Sequence, residues 1–251
     1  MIARTIDEVL TALEEIIADC TRNNNRAGYF AMVYYCTTLR VKKDILLNNF
    51  EDGPRMEQFD VLFANYYLQA WHQWQKNQPP AAAWKIAFET ATQTPAILMQ
   101  HLLLGMNAHI NLDLGAAAVE TMRGDRLQHL QRDFNSINAI LGAMIDKVQE
   151  NIGKISPLMG LLDLHARNHD ELLVQFSINL ARDGAWRFAQ ELNSKTAADY
   201  PVFLAARDNC IAQLGKNLAN PRGLLLKYTL KAIRATENQP PAKIINLLKV
   251  L

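Results

Sequence analysis

The run LMQHLLLGMNAHINLDLGAAA, from Leu98 to Ala118, is apolar on nearly every side, yet it carries two His, two Asn and one Asp. An amphipathic surface helix has one apolar stripe, whereas a helix apolar all round belongs inside the protein. The rest of the chain is therefore expected to wrap this segment. At about 100° per residue, His109 and Asp113 sit about 40° apart on one flank. Asn107 and Asn111 occupy the opposite flank, and His101 falls between the two groups. A buried polar group left unpaired costs about 1–3 kcal/mol. So many in one central helix call for either a polar core network or a ligand or metal site.

What surrounds that helix reads as more helix. Strand signals are nearly absent, with no sustained period-2 alternation and few clusters of β-branched residues. Pro54, after Asp52-Gly53, stands at a first helical position, and Thr94-Pro95 and Ser156-Pro157 repeat the pattern. Asn168 with Glu171 resembles a capping box. Leu127, Leu130, Phe134, Ile137, Leu141, Met144 and Val148 follow alternating three- and four-residue steps, the seam of a long bundle helix. Chain breaks fall near Asn23–Asn25, Pro79-Pro80, Gly124, Pro201, Pro221 and Gln239–Pro241. The expectation is an all-α, single-domain bundle over 1–251. About eight to ten helices surround a buried central helix at about 95–118, and an amphipathic tail at 240–251 docks on the bundle or on a second subunit.

The balance of the 251-residue chain fits an ordinary globular core, at 49% apolar and 20% charged residues. A formal charge of +1 argues against non-specific nucleic-acid binding, which needs clustered Lys and Arg. Cys20, Cys36 and Cys210 are far apart and form no CxxC pair, so no zinc ribbon or disulfide framework is expected. The first twenty residues form an acidic amphipathic helix without the apolar core of a signal peptide. No membrane span is expected, because the central run carries too many polar groups, and the cytoplasm is the expected compartment.

Four places have a pattern that suits chemistry. His109 and Asp113 are spaced i, i+4, which suits two ligands of one metal ion and equally an Asp that orients a His. Asp60 lies inside the apolar face formed by Met56, Phe59, Phe63 and Tyr67. There it is either a third ligand or general base beside His109, or a partner of nearby Arg55. His165 and His169 repeat the i, i+4 spacing, without the Glu of a zincin motif. Arg182 stands one turn before Trp186, either stacked on its indole or free to hold an anionic group. His101 and Asp133 complete the reserve. No phosphate-cradling Gly loop and no GxSxG elbow occurs.

Three blocks then stand out in order. They are FEDGPRMEQFDVLFANYY from Phe50, LLGMNAHINLDL from Leu103, and DELLVQFSINLARDGAW from Asp170. Together they resemble an uncharacterised, all-helical bacterial family, a domain of unknown function, across roughly residues 27–192. The resemblance implies attention to Asp60, Asn107, His109, Asn111, Asp113, Asp170 and Arg182, and implies no reaction. The HxxxD pair alone is also similar to those of zinc phospholipase C enzymes, whose additional His and N-terminal Trp have no counterpart here.

Two expectations follow. One is a hydrolase of a small or lipid-like ester or phosphoester, using one zinc, iron or manganese ion on His109, Asp113 and Asp60. Asn107, Asn111 and Arg182 would then hold substrate. The other is a non-catalytic protein that binds a ligand or partner, whose His, Asn and Asp side chains form a buried network. A homo-oligomer fits either.

Overall fold

The computed structural model describes residues 2–93, 95–165 and 177–249, the side chains of 138–139, 142–149 and 163–165 excepted. Among the described residues there is no strand, and the protein is all-α. Its helices are α1 (Ile6–Arg22), α2 (Gly28–Leu46), α3 (Gly53–Gln75), α4 (Ala82–Gln93), α5 (Leu98–Ala108), α6 (Leu114–Thr121), α7 (Gln131–Ile155), α8 (Ile178–Asn193), α9 (Asp199–Ala219), α10 (Leu224–Thr236) and α11 (Pro241–Leu247).

The centre is the run Leu98–Thr121, and it departs from the expected unbroken α-helix. Between α5 and α6, His109–Asp113 forms a single π turn, closed by Leu114 N–H donating to the carbonyl of His109. Such bulges concentrate at functional sites. Among the described residues this is the one helix long and apolar enough to cross a membrane. Its most apolar window is 94% buried inside the protein, the placement of a core helix. α5 packs on α2, α4 and α9, the π turn on α3, α8 and α9, and α6 on α3 and α8. Gly115 permits the last contact, because a Cβ there would lie 2.6 Å from the Phe188 ring and 2.8 Å from the carbonyl oxygen of Ala185.

Caps set the entry of the neighbouring helices. Asp52 caps α3 by accepting the N–H of Arg55 at 3.0 Å, with Pro54 in the first turn as expected. Asp208 on α9 accepts the N–H groups of Ala82 and Ala83, at 2.7 and 2.9 Å, and so holds the start of α4. Two expected starts are displaced. The helix after Pro95 begins only at Leu98, and Ser156-Pro157 closes α7 and leads into the 3-10 turn Met159–His165. The Asn168–Glu171 box lies outside the described residues. The seam residues Leu127 and Leu130 fall in a 3-10 segment, Gly124–Leu130, ahead of α7. The C-terminal helix α11 docks on α1 and α2, burying Ile244 and Ile245.

Candidate functional site

His109 and Asp113 face one another across the π turn, with Nδ1 of the ring 3.2 Å from Oδ2 of the carboxyl. The same oxygen accepts the indole N–H of Trp84 at 2.8 Å. Both side chains are buried, and the ring is boxed by aromatics. Phe63 stacks on it with centroids 3.6 Å apart, and Tyr34 meets it edge-on at 4.4 Å. Phe30, Tyr67 and Trp84 close the remaining sides.

Burial decides the charge of this pair. Desolvation drives the His109 pKa well below its usual range. It raises that of Asp113 well above the carboxylate range, with the Trp84 hydrogen bond opposing and Asp208 reinforcing the rise. Both groups therefore favour their uncharged forms. Nε2 of His109 is buried and has no hydrogen-bond partner among the described residues.

Asp60 lies in the wall of the same cavity as His109. Its Oδ2 is likewise buried, with no hydrogen-bond partner among the described residues. Burial, aided by the nearby charge of Glu57, raises its pKa to about 7. The expected local partner is engaged elsewhere, since Arg55 forms an ion pair with Asp133 at 2.6 Å. The cavity holds about 80 Å³, and its wall is largely apolar, including Phe30, Val33, Phe59, Met106 and Ile110.

Arg182 lines that cavity too, but it does not stack on Trp186. Its guanidinium lies over the ring of Phe134, 4.4 Å from the centroid, and donates to the Phe134 carbonyl. Desolvation lowers its pKa to about 10.

The remaining expected site residues do not join this group. Asn107 donates to the carbonyl of Ile211 at 3.0 Å, and Asn111 donates to Asn107 at 3.1 Å. Neither lines the cavity, and the Asn107 bond ties the central helix to α9. Arg207 adds another tie, donating to the carbonyl of Asn111 at 2.9 Å. Asp133 accepts the N–H groups of Glu51 and Asp52, at 2.7 and 3.2 Å, besides its ion pair. It anchors the chain leading into α3. His101 packs edge-on against Tyr29, in a separate pocket with Arg234 and Glu237. The side chain of His165 and all of His169, Asp170 and Glu171 lie outside the described residues.

The metal reading needs three donors at one point. Among the described residues no group of three or more His, Cys, Asp or Glu side chains is arranged to hold a metal ion. The reason is local. Asp113 Oδ2 is already engaged by Trp84 and His109, while Asp60 shares only the cavity lining with His109. His109, hydrogen-bonded to Asp113, and Asp60 are two separate polar groups in the lining of one largely apolar cavity.

Sequence reasoning missed Trp84, Phe63 and Tyr34 around His109. They come from three other helices, and no local spacing marks them. Glu237, which accepts the Leu98 N–H, was also missed.

No curated protein and no solved structure is detectably similar to this chain. Residues 6–221, a span running past the three sequence blocks on both sides, match a family-level description. The chain belongs to the family of unknown function DUF5995.

Proposed function

We propose that the protein binds a small, mainly apolar ester-like molecule in the cavity beside the π turn and hydrolyses it by general acid–base chemistry without a metal ion. The observation that carries this is that Asp60 and His109 line one largely apolar cavity, each with a buried polar atom, Oδ2 and Nε2, that has no hydrogen-bond partner among the described residues. Leaving each unmet costs about 1–3 kcal/mol, which a hydrogen-bonding ligand offsets.

The pKa values push the roles apart. Asp60, at about 7, is half ionised near neutral pH and suits a general base that takes a proton from water. Uncharged His109, backed by the protonated carboxyl of Asp113, suits a donor from Nε2–H to the carbonyl oxygen as negative charge develops there. A cavity of about 80 Å³ favours short acyl groups.

The test is a panel of short-chain p-nitrophenyl esters, assayed with and without chelator. The expected result is turnover that chelator leaves unchanged. Asp60→Asn should lower kcat/KM by about 10²-fold or more, in line with the usual contribution of a positioned base. Absence of turnover across the panel, or chelator-sensitive turnover, overturns the reading.

The aromatic box around His109 favours a second reading, a buried network that fixes helix register. Under it, the panel yields no turnover and the corresponding acids produce no thermal shift.

A further inference from the structure

α10 has two apolar faces, and the described residues cover one of them. Leu226, Leu230 and Ile233 are buried against Ile97, Leu103, Leu104 and Leu218. At about 100° per residue, Leu224, Leu225 and Tyr228 fall on the opposite side. They are 76%, 69% and 69% exposed. A solvent-facing helix surface is ordinarily polar, so this one requires a cover.

Charge identifies the cover. From Asn209 to Thr236 the chain has five cations and no Asp or Glu. Lys227 and Lys231 are exposed and lie on one flank of the outward apolar face, and exposed Arg222 precedes it. A Leu/Tyr face bordered by lysines suits the boundary of an anionic bilayer. There the apolar side chains enter the acyl region while the ammonium groups reach back to phosphate. A protein partner matching this face would need a complementary acidic rim around an apolar pocket. A lipid surface supplies both without a dedicated shape.

We propose that α10 is a peripheral docking helix for anionic membrane surfaces. It inserts Leu224, Leu225 and Tyr228 and reads lipid charge through Lys227, Lys231 and Arg222. This placement does not depend on the chemistry in the buried cavity.

The test is co-sedimentation of the full chain with phosphatidylcholine vesicles, with and without phosphatidylglycerol, at low and high salt. Wild type should bind the anionic vesicles at low salt, and at least about tenfold more weakly at high salt or without phosphatidylglycerol. Leu224→Gln/Leu225→Gln/Tyr228→Gln should lose binding, and Lys227→Glu/Lys231→Glu should lose it independently. Both variants alter exposed residues, and circular dichroism melts check their folding. The double charge variant keeps the test decisive if the triple variant does not fold. Failure of wild type to bind, or binding that survives both variants, overturns the proposal. A wild-type dimer that the triple variant dissolves also overturns it, assigning the face to a second copy of the chain.

Discussion

Glu237 receives the backbone N–H of Leu98 on both carboxylate oxygens, at 3.1 and 3.0 Å. The first N–H groups of a helix have no partner within it. Here the central helix begins deep in the protein, where water does not supply one. A residue after α10 fills the gap, and Ser156 at the end of α7 donates its hydroxyl to the same carboxyl. The start of the core helix is thus held by two elements distant in sequence.

Replacing that carboxyl should destabilise the whole protein. Glu237→Ala is expected to cost about 2 kcal/mol, as loss of a cap with charge-assisted hydrogen bonds. Glu237→Gln keeps one acceptor oxygen and should cost less. Urea denaturation, with unchanged m-values, checks both.

Asp113 joins two groups, the Trp84 indole N–H and His109 Nδ1, at one carboxyl oxygen. Asp113→Ala leaves the Trp84 indole N–H and His109 Nδ1 unmet in the core, and is expected to cost about 3 kcal/mol or more. Asp113→Asn retains an acceptor for Trp84 and should be milder. Chemical denaturation with Trp fluorescence reads both the stability and the environment of Trp84.

Asp60 should make stability fall as pH rises. Its pKa is about 7 when folded, against 3.8 as the ordinary value. The folded state therefore holds a proton that the unfolded chain releases between those values. Stability from this group is greatest below pH 4, declines through the interval and levels off above pH 7. At roughly 1.4 kcal/mol for each pH unit, the decline is about 4 kcal/mol. Asp60→Asn should remove that component and be more stable than wild type at pH 8. Denaturation profiles that run parallel for the two proteins from pH 4 to 8 would refute the assignment.

Gly115 is a packing constraint between α6 and α8. Gly115→Val forces side-chain atoms against Phe188 and the Ala185 backbone, and should cost about 1–3 kcal/mol or more as overpacking. Gly184, which has open space around its Cβ position, is the control. Gly184→Ala should be neutral or slightly stabilising in a thermal melt.

Much of this organisation was legible in the chain. The all-round apolar character of Leu98–Ala118 announced a core helix, and the spacing of His109 and Asp113 announced that they meet. Asp60 was marked by sitting inside an apolar face. What local patterns did not carry were the partners across helices. Asn107 and Asn111 had polar side chains suited to a ligand, but their partners are Ile211 and one another, fixed by the approach of α9. Asp133 belongs to the FEDGPR block through Arg55, a pairing across 78 residues that no local pattern encodes. Periodicity reports which face of a helix is buried, whereas the identity of the facing side chain depends on how the helices cross.

The π turn makes the central helix a segment with one residue too many. The wider turn absorbs that residue locally, so α6 continues in phase and Gly115 still meets Phe188. In a regular α-helix, losing one residue turns everything beyond it by about 100°. Between His109 and Asp113 a single deletion would instead let the turn close as an ordinary α turn and leave α6 where it is. The core therefore tolerates a change of length at this one point of its central helix.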